Sequence, residues 1–473
     1  GTTSAPFSSG GNNTALGYNT LALFTTGFSN VAIGYNVLDA LTTGYQNTAM
    51  GYQAGSALTT GTNNTIIGAN AGDAMTDTNG TVLIGQSAGT SINSTGANTT
   101  VAIGEYACNT LTSGTGNVAI GYAALLTEDD GDFNTAVGYE ALRYQTGTSG
   151  EVGNTAVGYK AGNDTTTGNA STFIGYKAGE NKTSATNNIA IGAQAFSGTG
   201  TGISDTIAIG YQAMPSNFVD SRAASGNIAI GRQALYSGLY ASASVAIGYE
   251  ALYSSLHDQY QTAVGYQALK GNGTTGGSHG SSYRNTAFGY RAGYDFGANG
   301  SSDDNVYVGY RAGMDNGGGD RNTHVGSDAG TYSIGGGNQT YIGHDAGHYA
   351  TGSYNTFVGT DAGKGGTTSA PYSSGVSNTA VGREALTAYT TGNYNVAVGQ
   401  RAAMNLTTAA NNTMVGNAAG ATTTTQLDGT FIGSGAGYGF DSGDGGNTIV
   451  GSGAGYYGDS GCCNVAVGRM AMY

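Results

Sequence analysis

Small and apolar residues recur along the whole chain in a six-residue pattern that ends in glycine and often in tyrosine. The pattern first appears at Asn13–Tyr18 and returns at Asn30–Tyr35 and Asn47–Tyr52. With each of these glycines counted as position 0, there are 26 copies, and 16 of the 25 spacings between them are 17 residues. A short fixed period over a whole chain is the signature of a solenoid, in which each repeat stacks on the next.

Positions −3 and −1 carry stiff aliphatic side chains. Position −3 is Thr, Val or Ile in every copy, and position −1 is Ile, Val or Leu in all but Met50 and Phe288. Residues two apart share one face of a strand, and β-branched residues favour strands. We therefore predict one short parallel strand per repeat, whose −3 and −1 side chains, such as Ile120 and Val137, fill the core. Aspartate at Ile120 or Val137 is then expected to break several neighbouring coils.

Two polar or small columns predict how the coils turn and stack. Position 0 is glycine throughout, which predicts a corner with positive φ or a close approach of two backbones. Position −4 is Asn in 18 copies, and stacked Asn side chains can hydrogen-bond from coil to coil. The first members of these two columns are Gly17, Gly34 and Gly51, and Asn13, Asn30 and Asn47.

The remaining columns complete a narrow core. Position +3 is Ala in 24 copies, position +4 alternates between Leu-like residues and Gly, and position +7 is Leu in several coils. Each repeat then forms a coil with a strand, a glycine corner, a second extended segment and a return turn. The predicted fold is all-β, a parallel β-solenoid or β-roll of about 26 coils with a period near 17 residues. We predict one continuous repeat domain over residues 1–473.

Position −2 points away from positions −3 and −1. It is Ala in 16 copies and aromatic in several others, and it is nearly free of charge. A face of this composition is typical of packing between chains, and we predict that it meets a second copy. The alternative is a flattened coil in which both faces are internal. The predicted interchain residues include Ala15, Ala32, Ala119, Phe173, Tyr341 and Phe357.

The segments Asn30–Tyr35 and Ser244–Tyr249, with their Val-Ala-Ile-Gly core, resemble the head repeats of trimeric autotransporter adhesins. That resemblance implies parallel β-rolls with three chains side by side, although the usual period of those heads is shorter. The form Thr-Thr-Gly-x-x-Asn-Thr-Ala-Val-Gly-Tyr also resembles the shafts of phage tail fibres. Both resemblances imply a structural fibre outside the cell or on a virion, serving adhesion to a host or surface glycan or protein, or host recognition.

The chain also resembles itself over a long distance. Residues 366–382 read GTTSAPYSSGVSNTAVG, and residues 1–17 read GTTSAPFSSGGNNTALG. A second cycle of the sequence thus begins near residue 366. Solenoid ends without caps expose strand edges that another subunit can pair with, so we expect head-to-tail association into a filament.

Composition narrows the set of partners. Only 9% of the residues are charged and the net charge is −14, which disfavours nucleic acids and anionic membranes. No run of 18 apolar residues exists, so we expect no membrane-embedded segment. Three cysteines are too few for a disulfide framework.

Candidate chemistry is sparse. Asp129, Asp130 and Asp132 in one turn could bind Ca²⁺ through oxygen ligands, as could Asp441 with Asp444, but solvated turn residues are the favoured explanation. His324, His344 and His348 with Asp328, Asp345 and Asp361 form a second conceivable metal group. The G-x-S-x-G match at residues 276–280 lies in a glycine-rich insertion rather than a strand-to-helix turn. We expect no cofactor and no catalysis.

Two binding hypotheses remain from the sequence. The tyrosines at position +1 could bind glycans or could form a structural ladder that seals the corner. The many threonines could form an ice-binding array. Ice binding requires outward threonines at alternate positions, whereas the Thr-Thr pairs here are adjacent and the threonine at −3 is assigned to the core. The sequence therefore favours a structural fibre over an ice-binding solenoid.

Overall fold

The computed structural model describes residues 9–147, 150–215, 225–237, 241–254, 259–271, 282–295, 302–366, 369, 372–440, 445–458 and 461–473. The predicted Asp441 and Asp444 pair and the G-x-S-x-G match at residues 276–280 lie outside these ranges. Residues Gly1–Gln233 and Ala234–Tyr473 form two compact units, which are described separately below. Whether they make one continuous domain stays a prediction.

Each unit is an all-β parallel solenoid with a repeat near 17 residues, as the periodicity predicts. Thirteen parallel strands of the main sheet are described in each unit. In the first unit they are Thr14–Leu16, Val31–Tyr35, Thr48–Tyr52, Thr65–Ile67, Val82–Ile84, Val101–Ile103, Val118–Ile120, Thr135–Val137, Thr155–Val157, Thr172–Ile174, Ile189–Ile191, Ile207–Ile209 and Ile228–Ile230. In the second they are Val245–Ile247, Thr262–Val264, Thr286–Phe288, Val306–Val308, Thr323–Val325, Thr340–Ile342, Thr356–Val358, Thr379–Val381, Val396–Val398, Thr413–Val415, Thr430–Ile432, Thr448–Val450 and Val465–Val467.

The first unit also holds two minor elements. The short strands Gly131–Asp132 and Gly150–Glu151 pair in parallel where two coils turn back. Thr95–Ala97 forms a single turn of 3-10 helix. Neither element interrupts the main sheet, because the flanking strands Val82–Ile84 and Val101–Ile103 still pair residue for residue.

Stacking keeps every column in register. Val31 pairs with Thr48, Ala32 with Ala49 and Gly34 with Gly51, so equivalent positions of successive coils lie above one another. Backbone hydrogen bonds also join the return segments, for example from the Thr42 nitrogen to the Thr59 oxygen at 2.8 Å. The coils are thus hydrogen-bonded to their neighbours on more than one side, which satisfies the backbone groups of a structure this rich in turns.

Glycine at position 0 is required for two reasons at once. At Gly34 the φ angle is +138°, a region that side chains rarely adopt, and an added Cβ would overlap the carbonyl oxygen of Gly51 in the next coil. Gly17 and Gly51 have φ angles of +130° and +143° and the same close approach to the following coil. The column is invariant because the backbones of adjacent corners nearly touch.

The asparagine column forms a hydrogen-bonded ladder. The side-chain oxygen of Asn13 accepts hydrogen bonds from the backbone and side-chain nitrogens of Asn30, at 2.9 and 3.1 Å. Asn30 accepts the same pair from Asn47, at 3.0 and 3.1 Å. The Nδ2 of Asn30 also donates to the Gly44 oxygen at 3.0 Å, which ties the strand to the return turn. Each side chain therefore joins two coils and two sides of its own coil.

The two faces of the strands are reversed relative to the prediction. The residues at −2 form the core of the chain itself: Ala32, Ala119, Phe173, Tyr341 and Phe357 are all 0% exposed. The interchain assignment of these residues is therefore wrong. Ala15 points the same way as its register partner Ala32, but it is exposed because Thr14–Leu16 is the first strand described.

The predicted core residues face outward. Ile120 is 36% exposed, and Val137 is half-buried. These residues face outward because the interior of the coil is narrow. A side chain at −2 must fit between the strand and the return segment, which presents the alanines at +3 and the side chains at +4. Alanine at −2 fills that gap next to a buried leucine such as Leu125. The larger Ile and Val side chains at −1 are left on the outer surface.

The core is filled by a size rule between positions −2 and +4 of one coil. All ten coils with a residue larger than Ala at −2 have Gly at +4. A Cβ at Gly313 would overlap the ring of Tyr307, and one at Gly347 would lie 2.5 Å from the Tyr341 ring. Coils with Ala at −2 mostly carry a larger residue at +4, such as Leu38 or Leu142. The two positions share one volume, and either can fill it.

Candidate functional surface

The outward side chains at −3 and −1 of the main-sheet strands form what is here named the strand face. At −1, Ile174, Ile342 and Ile432 are 38%, 40% and 40% exposed. The threonines, valines and isoleucines at −3 lie beside them, and no copy of either position carries a charged residue. The strand face is therefore a stripe of β-branched and aliphatic side chains that runs along each unit.

The strand face is large for an exposed apolar surface. Thirteen strands about 4.8 Å apart span roughly 60 Å, and three residues of strand span about 10 Å, so each unit presents roughly 600 Å². Apolar patches of this size on soluble proteins usually mark an interaction site, and a standard interface buries about 800 Å² per partner. One unit alone approaches that area.

The tyrosines at +1 form stacked ladders beside the strand face. Tyr18, Tyr35 and Tyr52 stack with ring centroids 5.1 and 5.3 Å apart. In the second unit Tyr249 and Tyr266 stack at 5.0 Å with an interplanar angle of 6°. Because the rings cover one another's faces, each ladder exposes mainly ring edges and hydroxyls. The geometry shows the ladder, and glycan binding by these rings stays a prediction.

The residues at +2 form a polar row next to the tyrosines. Lys160 pairs with Glu140 at 3.3 Å, and Lys270 pairs with Glu250 at 2.6 Å in the second unit. Lys160 also lies 5.7 Å from the ring centroid of Tyr159. Half-exposed pairs of this kind contribute only about 0.2–1 kcal/mol each. The row makes this side of the coil hydrophilic, in contrast to the strand face.

Of the predicted metal group of histidines and aspartates, the structure brings together Asp328, His344 and Asp345, whose ligand atoms lie within 4.8 Å of one another. The Lys364 ammonium is 2.7 Å from Asp345, and Nδ1 of His348 is 3.2 Å from it. Burial alone would raise the pKa of Asp345, but Lys364 and the two histidines hold it below its usual value. Lys364 supplies the positive charge that a metal ion would otherwise supply, so the group is an ion-pair network.

Of the remaining predicted ligands, His324 lies apart from this network and Asp361 joins it through Lys364. His324 is buried in the core, between the rings of Tyr307 and Tyr341, with centroids 5.5 and 4.7 Å away. Its Nε2 is 3.2 Å from the Gln339 side-chain oxygen, and burial lowers its pKa to about 3. Asp361 pairs with Lys364 at 2.9 Å. His324 is a neutral core residue and cannot join a surface metal site.

The calcium candidates are rearranged as well. Asp129 and Asp130 cluster with Glu128 rather than with Asp132, whose carboxylate accepts a hydrogen bond from the Thr115 nitrogen at 2.7 Å. Glu128 is buried, and its Oε1 accepts from the nitrogens of Asp129 and Gly131 at 3.1 and 2.8 Å. Burial raises the pKa of Glu128. Calcium binding stays a prediction.

Position +7 brings ionisable groups into the core, which the sequence pattern did not reveal. This column is apolar at Leu41 and Leu58 but polar at Glu128 and Lys182, and all four are 0% exposed. The Lys182 ammonium donates a hydrogen bond to the Gly198 oxygen and lies 4.2 Å from the Phe196 ring centroid. Burial lowers the pKa of Lys182 to about 7. A charged residue in a column that is apolar in the first six coils, from Phe24 to Leu111, is the signal that could have located it.

Lys182→Met is expected to stabilise the protein in a pH-dependent way. Below pH 7 the lysine is charged in both the folded and the unfolded chain, so the folded state bears the full cost of burying the charge. Between about pH 7 and 10.5 the folded lysine is neutral, and the cost becomes that of deprotonating it, which falls steadily to zero over this range. The gain in unfolding free energy should be about 2–4 kcal/mol at pH 6 and should shrink towards pH 10, measured by chemical denaturation.

Lys177→Met is the control for that experiment. Lys177 is half-buried and pairs with Glu180 at 3.0 Å, so its removal should change stability little at any pH. A Lys182→Met protein that is less stable than the parent at pH 6 would contradict the assignment of a costly buried charge.

Comparison with known proteins found no match for this chain. No protein-family model matches it, and no curated protein does either. Over the described residues, no helix has the length and apolar character needed to cross a membrane. The fold and the strand face are therefore the basis for a functional assignment.

Proposed function

We propose that this chain is a structural repeat protein whose copies associate side by side through the strand face to build a fibre. The observation that carries the proposal is the charge-free stripe at −3 and −1 in both units, which is mainly aliphatic at −1 and consists of Thr, Val and Ile at −3. A second copy presents the same residues at the same spacing from coil to coil, so the two stripes can interdigitate over their length. No charged group would have to be desolvated at its centre.

Copy number and setting belong to the proposal. The resemblance to trimeric adhesin heads and tail-fibre shafts favours three copies and a place outside the cell or on a virion, with a role in attachment. Head-to-tail contacts would extend such trimers into a filament. The proposed role is non-catalytic: Lys160, Lys270 and Lys364 pair with carboxylates, and Glu128, Lys182 and His324 are buried in the core.

Replacing Ile120 and Ile174 together by lysine is expected to abolish lateral association while leaving the coils folded. Both side chains are on the strand face, and an interface cannot bury two unpaired ammonium groups without a cost of several kcal/mol, about 3–5 for a single buried unpaired charge. Light scattering after size-exclusion chromatography should give the mass of an oligomer for the parent and of a monomer for the variant. Circular dichroism should be unchanged.

Thr60→Lys with Thr167→Lys is the matched control. Both threonines are exposed at position +9, outside the strand face, so this variant should keep the oligomer mass. The proposal fails if the parent is a monomer at all concentrations tested, or if the strand-face variant keeps the parent's mass.

Ice binding becomes a second candidate on one specific observation. Thr323, Thr340, Thr356 and Thr379 occupy position −3 of four successive coils and lie on the outward side of the sheet. The sequence-based objection, that these threonines belong to the core, therefore no longer holds. The same face cannot both contact ice and be covered by another copy. A monomeric parent protein with thermal hysteresis would select ice binding over the fibre.

A further inference from the structure

A groove of about 410 Å³ lies on the first unit, on a different side of the coil from the strand face. It is formed by positions +6 and +8 of successive coils. Its lining residues are Thr127, Tyr144, Thr146, Asp164, Thr166 and Thr183. The volume is in the lower part of the range of small-molecule sites, about 300–1,000 Å³.

Tyr144 gives the groove its wall. In the six coils that precede it directly, position +6 is a smaller residue: Ala40, Ala57, Ala74, Ser91, Thr110 and Thr127. The Tyr144 ring is 41% exposed, and the guanidinium of Arg143 lies 5.0 Å from its centroid. Arg143 is itself anchored by Glu140 at 2.5 Å. A large ring that is held in place on a surface of small residues is a platform for a flat apolar ligand face.

Asp164 provides a hydrogen-bond acceptor that the protein does not neutralise. The nearby lysines pair elsewhere, Lys160 with Glu140 at 3.3 Å and Lys177 with Glu180 at 3.0 Å. Burial first, and the Glu180 charge second, raise the pKa of Asp164, and the charges of Lys160 and Lys177 offset only part of this rise. The two carboxylates make the groove unfavourable for anionic ligands, whereas neutral hydroxyl donors suit it.

The threonines add methyl groups and further acceptors. The Thr127 hydroxyl donates to the Arg143 oxygen at 3.0 Å, and the Thr166 hydroxyl donates to the Thr183 oxygen at 2.9 Å. Because each hydroxyl has one hydrogen and has already used it, its remaining lone pairs can only accept. The groove thus offers an aromatic ring, methyl groups and acceptors on Asp164, Thr127 and Thr166.

We infer that this groove binds a neutral pyranose saccharide. A sugar ring has an apolar C–H face that can rest on Tyr144, and its hydroxyl groups supply the donors that Asp164 and the threonines lack. The inference is independent of lateral association, because the groove and the strand face lie on different sides of the coil.

Saturation-transfer NMR on the full chain tests this inference with methyl glucoside, methyl galactoside, methyl mannoside and N-acetylglucosamine as probes. At least one probe should receive saturation. Tyr144→Ala and Asp164→Asn should each weaken its binding about tenfold, and Tyr144→Phe should retain most of it. Tyr139→Ala, which removes an exposed ring of the same coil outside the groove, should leave binding unchanged.

Three results would overturn the inference. The first is the absence of saturation transfer to any of the four probes. The second is equal binding by the parent, Tyr144→Ala and Asp164→Asn proteins. The third is a loss of binding in Tyr139→Ala as large as that in Tyr144→Ala. A fourth would be binding of an oligolysine peptide in place of the sugars, with the steep salt dependence expected of a charged partner. Circular dichroism of each variant separates loss of binding from loss of fold.

Discussion

Ala119→Asp is expected to unfold several coils of the first unit, whereas Ile120→Asp, one residue further along, is expected to leave them folded. Ala119 is 0% exposed and pairs in register with Ala102 and Ala136 in the coils on either side. A carboxylate there would be buried without a partner, at a cost of several kcal/mol, about 3–5 for an uncompensated buried charge. Ile120 is 36% exposed, so its replacement places a charge in water.

Hydrogen exchange followed by mass spectrometry is the decisive measurement. Ala119→Asp should lose protection in its own coil and in the adjacent ones, because each coil is hydrogen-bonded to both neighbours. Ile120→Asp should keep the parent's protection pattern as a monomer. If Ile120→Asp raised hydrogen exchange and Ala119→Asp did not, the side chains at −3 and −1 would form the core instead.

Gly313→Leu is expected to destabilise the second unit strongly, and Tyr307→Ala is expected to rescue it. Tyr307 is 0% exposed and fills the space beside Gly313. Backbone strain does not decide the outcome, because Leu125 occupies the same position +4 with a φ angle of +50°. The obstacle is the volume of the Tyr307 ring, and its removal recreates the pairing of Ala119 with Leu125.

A double-mutant cycle quantifies this size rule. Gly313→Leu should cost about 3 kcal/mol by overpacking. Tyr307→Ala should cost about 3–5 kcal/mol by a cavity that leaves Asn316 without its 2.6 Å hydrogen bond to the tyrosine hydroxyl. The double variant should recover about 2–3 kcal/mol relative to the sum of the singles. Gly347→Leu is the control, because Gly347 packs on Tyr341 and Tyr307→Ala should not rescue it. Additive costs in the Gly313 cycle would refute the rule.

Much of this rule was present in the sequence. The columns at −2 and +4 each alternate between small and large residues, and comparing them coil by coil shows that large residues at −2 always accompany Gly at +4. Two residues that exchange volume in this way must touch, so the correlation alone would have placed position −2 in the core. Reading each column separately concealed it.

The groove beside Tyr144 had a weaker signal. Tyr144 is visible in the sequence as a large residue at a position that varies from coil to coil, but the gap next to it depends on how Asp164 and the threonines of three further coils stack. The buried Lys182 is similar. Its position at +7 marks it as internal, while the lowered pKa depends on what surrounds the ammonium in the folded coil.

The sequence by itself determined the period, the parallel strands, the glycine corners and the asparagine ladder. These features depend on one residue type recurring at one spacing, and their physics is local or acts between identical neighbours. Hydrophobic alternation by itself does not decide which side of the strand is inside, and the tertiary structure established it. Alternation shows that −3 and −1 share a face opposite −2, but both faces are apolar, so hydrophobicity cannot distinguish them. The narrow space between the strand and the return segment determines which face is buried. This space admits Ala next to Leu, or a large side chain next to Gly, and the stripe of Ile and Val side chains stays outside.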